Sequence, residues 1–247
     1  MEGREVTAIT ALLTNKAYGY PTRGARRRRK PTILACLHQT SNATATAIGE
    51  RNYANRAGSG GPSATAYIDR DGTIIRAIDP IAYAAWSQGD VASPNTKIPT
   101  VAAAVASGVN MNEWVHESIE CSGTGTEPYT DAQFESVAQL IAAASHALGL
   151  PINRSTVVVH ADINGVSRRS DPWPPATREA RVKRVIDRAN AILVPTVVTV
   201  SVKAGDTLGA IASAHGLTLA ALLAYPENAK YRASPGLIHP GDVVRVR

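Results

Sequence analysis

Thr32-Ile-Leu-Ala-Cys-Leu-His38 and Thr156-Val-Val-Val-His160 are the two stretches on which the fold turns. Each is a continuous apolar run of strand length with no polar alternation, the pattern of a strand covered on both faces, and each ends in histidine. Around them lie further elements. Ala66-Tyr-Ile68 and Thr73–Ile78 flank Asp69-Arg-Asp-Gly72, a strong hairpin signal. Trp114–Glu120 reads as another strand, and the Ala-, Thr- and Asn-rich segment 41–56 as a helix opening at Ser41 or Asn42. Thr130-Asp131 caps an amphipathic helix to Leu148 that Gly149 and Pro151 stop. Ala176–Ala191, with interleaved charges, reads as a surface helix. Strands alternating with helices predict an α/β fold, a mixed central sheet flanked by helices.

Composition narrows the function. The 247 residues are 44% hydrophobic and 19% charged, ordinary globular material sufficient for one large domain, or a typical domain with a small one. No apolar run approaches the roughly 18 residues of a membrane span. Two cysteines exclude a disulfide-dense scaffold and a cysteine-built zinc site. Cys36 and Cys121 are expected as buried free thiols, with a bond between neighbouring strands left open. The net charge of +6 invites a nucleic-acid reading. Residues 1–30 alone carry that excess, mostly in Arg26-Arg-Arg-Arg-Lys30, and the remainder is close to neutral, so no nucleic-acid partner is expected. Glu2 and Glu5 stand where a secretory signal needs positive charge, which predicts synthesis in the cytoplasm without a signal peptide.

His38 and His160 end strands, where α/β proteins place active groups, and Asp171 follows eleven residues after His160. Two imidazoles and a carboxylate with a fourth position open form a catalytic zinc set. The residues alone equally allow two histidines that merely cap buried strands. His116, Ser118 and Glu120 share a strand face, so His116 is either a neighbour of Glu120's chemistry or an ordinary satisfied histidine. His146, within the long helix, reads as structural.

Taken in order, Leu37-His-Gln-Thr40, Tyr67-Ile-Asp-Arg-Asp-Gly-Thr-Ile74, Ala85-Trp-Ser-Gln-Gly-Asp90, Ser118-Ile-Glu-Cys-Ser-Gly123, Val159-His-Ala-Asp162 and Arg169-Ser-Asp-Pro172 resemble the type-2 N-acetylmuramoyl-L-alanine amidases. These share a fold with peptidoglycan recognition proteins. The likeness spans about residues 5–190 and rests on the order of the motifs rather than on any one of them. It implies Zn2+ held by His38, His160 and Asp171, with Glu120 facing the metal and handling the proton. Arg169 stands where the family usually has lysine. A guanidinium there would stabilise an oxyanion but would not donate a proton. Three further departures stand out: Ala64-Thr65 replaces a common Tyr-His, Ser87 replaces a common histidine, and Trp173 interrupts a common Asp-Pro-Gly-Pro. Trp173 would either line the substrate groove or shield the metal.

The segment after Pro195 is similar to the LysM module. Val200-Ser-Val-Lys-Ala-Gly-Asp-Thr-Leu208, His215-Gly-Leu217 and Leu237-Ile-His-Pro-Gly-Asp-Val-Val244 carry the likeness. It implies βααβ topology and recognition of N-acetylglucosamine-containing glycan by Gly205, Asp206, Thr207, Leu208, Leu237, Ile238 and His239, largely through backbone groups. Asp206 or Thr207 would cap the first helix, and Ile211 and Leu222 would face the small core. The expected organisation is a lead-in over 1–30 that packs on a catalytic domain at 31–192, a linker at 193–197 and a wall-binding domain at 198–247. Together these imply a monomeric peptidoglycan hydrolase that cuts the amide between N-acetylmuramic acid and L-alanine. It looks like a phage endolysin that reaches the wall after holin-type release, with Arg26–Lys30 drawn to anionic wall polymers. The alternative is a recognition protein that binds wall without catalysis, for which Arg169, Ala64 and Thr65 are the support.

Overall fold

The computed structural model describes residues 24–26, 28–42, 44–54, 63–124, 127–193 and 197–247. The expected lead-in over 1–23, Arg27, the end of the first predicted helix and residues 194–196 of the predicted linker lie outside them. The chain divides into two compact units on either side of Leu193.

In the first unit, β1 (Gly24–Arg26) pairs antiparallel with β5 (Tyr83–Ala85). The main sheet contains β2 (Ile33–Gln39), β3 (Ala66–Ile68), β4 (Ile74–Arg76), β6 (Val115–Cys121) and β7 (Val157–Val159), in the order β4-β3-β6-β2-β7. Strands β3, β6, β2 and β7 run parallel and β4 is antiparallel at the edge. All seven residues of β2 are buried, as its uninterrupted apolar run requires. On one face Leu34 and Leu37 pack with Ile119, Phe134, Val137 and Ile141. On the other, Ile33 and Cys36 meet Ile98, Val101, Met111 and Trp114. Cys36 and Cys121 are both buried free thiols.

The helices are α1 (Ala47–Ala54), α2 (Pro99–Ala106), α3 (Asp131–Leu148), α4 (His160–Ile163) and α5 (Pro175–Leu193). Helix α3 opens on the expected cap. Gln133 N–H donates to Thr130 Oγ1 at 3.1 Å and Thr130 N–H to Gln133 Oε1 at 3.0 Å, and Gly149 ends the helix at φ +67. Helix α5 buries Val182, Val185 and Ala189 in the same core as α3. The hairpin between β3 and β4 turns through Gly72 at φ +89, where a Cβ would lie 2.9 Å from the Ala132 carbonyl oxygen.

Several elements differ from the sequence reading, among them β1 and β5, which had no counterpart in it. Helix α1 begins only at Ala47, whose N–H is accepted by Asp69 Oδ1 at 2.7 Å, while Asn42 instead bridges the backbone of Gly123. The strand expected to reach His160 stops at Val159, because Asp162 Oδ2 accepts from Val159 N–H at 2.9 Å and starts the turn of α4. Helix α2, an Ala/Val run with little periodicity, had no counterpart in the reading.

A buried ion pair ties the sheet edge to its centre. Arg76 donates bidentately to Glu117, Nη1 to Oε2 at 2.6 Å and Nη2 to Oε1 at 2.8 Å, and Thr65 Oγ1 donates to the same carboxylate at 2.6 Å. Both charged side chains are at most 2% exposed. Burial alone would raise the Glu117 pKa, but the Arg76 guanidinium overcomes it and holds the carboxyl below its ordinary value. A carboxyl depressed in the folded state stabilises above its unfolded pKa of about 4.3, and that stability is lost as pH falls through the lower folded value. Glu117→Gln leaves Arg76 buried without its counter-charge and is expected to cost about 3–5 kcal/mol in urea unfolding at neutral pH. The deficit relative to the parent protein should shrink in acid; a deficit independent of pH would contradict the assignment.

The second unit is βααβ: β8 (Thr199–Ser201), α6 (Leu208–Ala214), α7 (Leu219–Ala224) and β9 (Val243–Arg245), with β8 and β9 antiparallel. Thr207, rather than Asp206, caps α6 by accepting from Ala210 N–H at 3.1 Å. Ile211 and Leu222 sit in a core with Val202, Leu208, Tyr231 and Val244. Asn228, fully buried, donates to the carbonyls of Leu222 and Arg245 and accepts from Arg245 N–H, so a polar side chain pins α7 to β9.

Candidate active site

The parallel strands deliver the candidate residues to one end of the sheet. His38, near the C-terminal end of β2, is in register with Glu120 on β6. His160 opens α4 directly after β7, the other neighbour of β2. Asp171 reaches the same place from the loop before α5. There Gln39 N–H donates to Asp171 Oδ1 at 2.9 Å and Ala161 N–H to the Asp171 carbonyl at 2.9 Å. His160 Nδ1 lies 3.0 Å from His38 Nδ1 and 3.0 Å from Asp171 Oδ2, and His38 Nδ1 is 3.7 Å from that oxygen. Sequence reading left open whether these histidines only cap strands; the fold converges both on one carboxylate.

The donor set fits a zinc ion. Bonds of about 2.0–2.1 Å in a tetrahedral arrangement put ligand atoms about 3.3 Å apart, and the three separations here are 3.0, 3.0 and 3.7 Å. The partners behind the donors are of the kind that hold metal ligands still. Tyr129 O–H donates to the His38 carbonyl at 2.6 Å, and the Gln88 amide lies 3.0 Å from His38 Nε2 and 2.8 Å from Ser118 Oγ. The Ser87 and Gln88 amides both donate to Asn112 Oδ1, which fixes the loop carrying Gln88.

The electrostatics suit cation binding near neutral pH. Burial lowers the His38 pKa to about 4, so its ring is neutral. For Asp171 burial alone would raise the pKa, but the hydrogen bond from His160 and the nearby His38 ring dominate and keep it ionised, well below the usual carboxylate range. Burial pushes Glu120 well above its ordinary value, with the charges of Asp171 and Glu50 adding to the rise. A partly buried carboxylate of high proton affinity is suited to accept a proton.

The other predicted residues fall in different places. Arg169 is exposed, as is neighbouring Arg168, and the Arg169 carbonyl accepts from the Arg178 guanidinium. Trp173 is 0% exposed and packs against Tyr129 and Phe134 at centroid distances of 4.6 and 6.0 Å, so it does not line a groove. Its φ of +71 belongs to the left-handed region natural for glycine. That backbone costs on the order of 1–2 kcal/mol, which burial of the ring offsets. His116 lies at the opposite end of β6 from Glu120, beside Glu117 and on the wall of a cavity of about 460 Å³ that Arg28, Arg29 and Lys30 also line. In the second unit Gly205 takes φ +88, and Leu237 and His239 are exposed. Leu208 is 1% exposed, so its side chain belongs to the core and only its backbone can serve a ligand.

Gln88 and Tyr129 escaped the sequence reading. Gln88 lies within a quoted motif but carried no chemical signal there, and Tyr129 acts on a backbone carbonyl across the fold.

The mixed sheet thus brings two imidazoles and a carboxylate together at its strand ends, a donor set of the kind that holds a catalytic metal ion. Residues 28–174 match the family model described as N-acetylmuramoyl-L-alanine amidase, and residues 200–247 match that of the LysM domain. The chain belongs to the N-acetylmuramoyl-L-alanine amidase family and carries a LysM domain. Solved structures similar to it include PlyL (19% identity, TM-score 0.47, covering 68% of this chain and 88% of that one). A selenomethionine derivative of AmpD is similar at 21% identity and TM-score 0.48, covering 68% and 94%. The hydrolase AmiA of Staphylococcus aureus in complex with its ligand is similar at 18% identity and TM-score 0.48, covering 75% and 91%. No curated protein matches the chain.

Proposed function

We propose that this peptidoglycan amidase cleaves the bond between the lactyl group of N-acetylmuramic acid and L-alanine of the stem peptide, with zinc held by His38, His160 and Asp171. The observation that carries the reading is the convergence of those three donor atoms beside Glu120, which shares a register position with His38. Zinc, when bound there, polarises the scissile carbonyl and makes a water acidic enough to attack near neutral pH. Glu120 takes up that water's proton on a carboxylate oxygen and returns it to the departing amine nitrogen of L-alanine. Gln39 N–H and Tyr129 O–H hold Asp171 and the His38 backbone, and Gln88 fixes the His38 ring. Arg169, to which the family resemblance assigned stabilisation of the oxyanion, is exposed, as is neighbouring Arg168.

The test is mass spectrometry of purified peptidoglycan after digestion, where new free L-alanine amino termini are expected and chelation should abolish them. Binding without new termini would favour a recognition protein instead. Retention of the whole donor set with Glu120 favours the enzyme, because wall binding alone needs none of it.

The LysM unit anchors the enzyme on glycan through the backbone of Gly205–Leu208 and Leu237–His239, and tethering raises the local concentration of the bond to be cut. A catalytic part paired with a wall-binding part suits an endolysin, a monomer delivered from the cytoplasm by a holin, with catalytic and anchoring domains at 31–192 and 198–247. The basic run adds attraction to anionic wall polymers. Arg28 and Lys30 are exposed, and Arg29 stacks over Trp114 at 3.7 Å. Arg28→Gln with Lys30→Gln is expected to weaken sedimentation with whole walls several-fold at low salt, and to have little effect near 1 M salt, where the Debye length is about 3 Å. Hydrolysis of a small soluble muropeptide should be nearly unchanged. Equal loss of both would assign the run to the structure of the catalytic unit.

A further inference from the structure

Tyr67, Glu120 and His38 occupy equivalent register positions on the adjacent parallel strands β3, β6 and β2. In-register residues of parallel strands leave the sheet on the same face, so these three side chains form a row. The carboxylate in the middle of the row makes no hydrogen bond among the described residues. The Tyr67 hydroxyl accepts from Ala64 N–H at 3.2 Å, and its own proton has no acceptor among them. Tyr67 is 4% exposed, and a buried hydroxyl proton without an acceptor is costly.

Both groups line one cavity of about 80 Å³ that Ser63, Ala64 and Ser87 help to enclose. A cavity needs about 10–15 Å³ of such volume to hold one water, so this one has room for a water, with polar groups on several sides. The ring of Tyr67 packs among Ala47, Ala54, Ala64 and Ala77. A phenylalanine would fill that space equally well, so packing explains the ring and leaves the hydroxyl unexplained. Burial pushes the phenol pKa upward, which keeps its proton in place, and the negative charge of Glu120 acts in the same direction.

We infer that Tyr67 is a positioning residue of the amidase site: its hydroxyl donates, through a water held in this cavity, to the Glu120 carboxylate and fixes that carboxylate in place to receive a proton. The inference rests on the amidase reading and adds to it a residue three positions beyond Ala64, where the family's usual tyrosine is missing.

Tyr67→Phe in the zinc-loaded full chain separates hydroxyl from ring. With a soluble muropeptide, kcat is expected to fall about ten-fold with KM, zinc content and Tm unchanged, the size of effect that follows from losing one hydrogen bond to a charged group. Tyr67→Leu should show the same loss of kcat and also a lower Tm, because it removes the ring as well. A crystal structure of the parent protein should contain a water within hydrogen-bond distance of both Tyr67 Oη and Glu120, and that of the phenylalanine variant should lose it. A Phe variant with kcat within about two-fold of the parent, or a cavity without that water, would overturn the inference. If the parent released no L-alanine termini, the amidase reading itself would fail, whereas the bridging water is observed independently of turnover.

Discussion

His160→Ala is expected to abolish zinc retention and, with it, the release of new L-alanine amino termini from purified peptidoglycan. Among the described residues three protein donors converge at the site, and His160 Nδ1 is the one 3.0 Å from both of the others. Its removal leaves one imidazole and one carboxylate 3.7 Å apart, too few ligands for a catalytic zinc site. Altering a partner behind a metal ligand typically costs 10–100-fold, so losing a ligand should cost on the order of 10³-fold or more. Metal analysis checks the first half, with about one zinc expected per parent chain and close to none in the variant. Mass spectrometry of the digest checks the second, with circular dichroism to show that the variant is folded. Activity that survives both chelation and this substitution would sink the zinc mechanism.

Glu120→Gln should separate chemistry from metal binding. Glutamine keeps the shape of the side chain and, since the carboxylate makes no hydrogen bond among the described residues, breaks no contact that the fold depends on. What it loses is the ability to take up a proton. General acid–base groups of this kind contribute about 10²–10⁴-fold, so kcat is expected to fall by about that factor with zinc content preserved. KM should move little, because the loss belongs to the transition state rather than to ground-state binding. A variant with unchanged kcat would remove Glu120 from the mechanism, and one that lost its zinc would show that the carboxylate acts on the metal site rather than on the proton.

Much of the fold was legible because local and global signals agreed. Thr130 and Gly149 mark the ends of α3 by chemistry that works within four residues of itself, and the structure uses both. The apolar runs of β2 and β7 announce burial on both faces, which layers covering both sides of the sheet provide for the central β2 and for β7 at its edge alike. Helix α1 was placed less well because its start is set by Asp69, a residue 22 positions away that accepts from Ala47 N–H. Trp173 was ambiguous in sequence for a similar reason. An indole beside a metal loop can face solvent or core, and only its contacts with Tyr129 and Phe134 decide the matter.

The candidate ligands and Glu120 were readable only through the resemblance that the order of the motifs carries, because residue type and spacing alone left open that His38 and His160 merely cap strands. The division into a hydrolytic part and a LysM part was readable as well, since each carries its own apolar pattern. Which atoms meet was decided by tertiary structure alone. The register of β3, β6 and β2 aligns Tyr67, Glu120 and His38, and the loop before α5 brings Asp171 to Gln39 across 132 residues of sequence. That loop also leaves Arg169 exposed. Contacts between residues so distant in sequence arise from packing the whole sheet, and no local propensity encodes them.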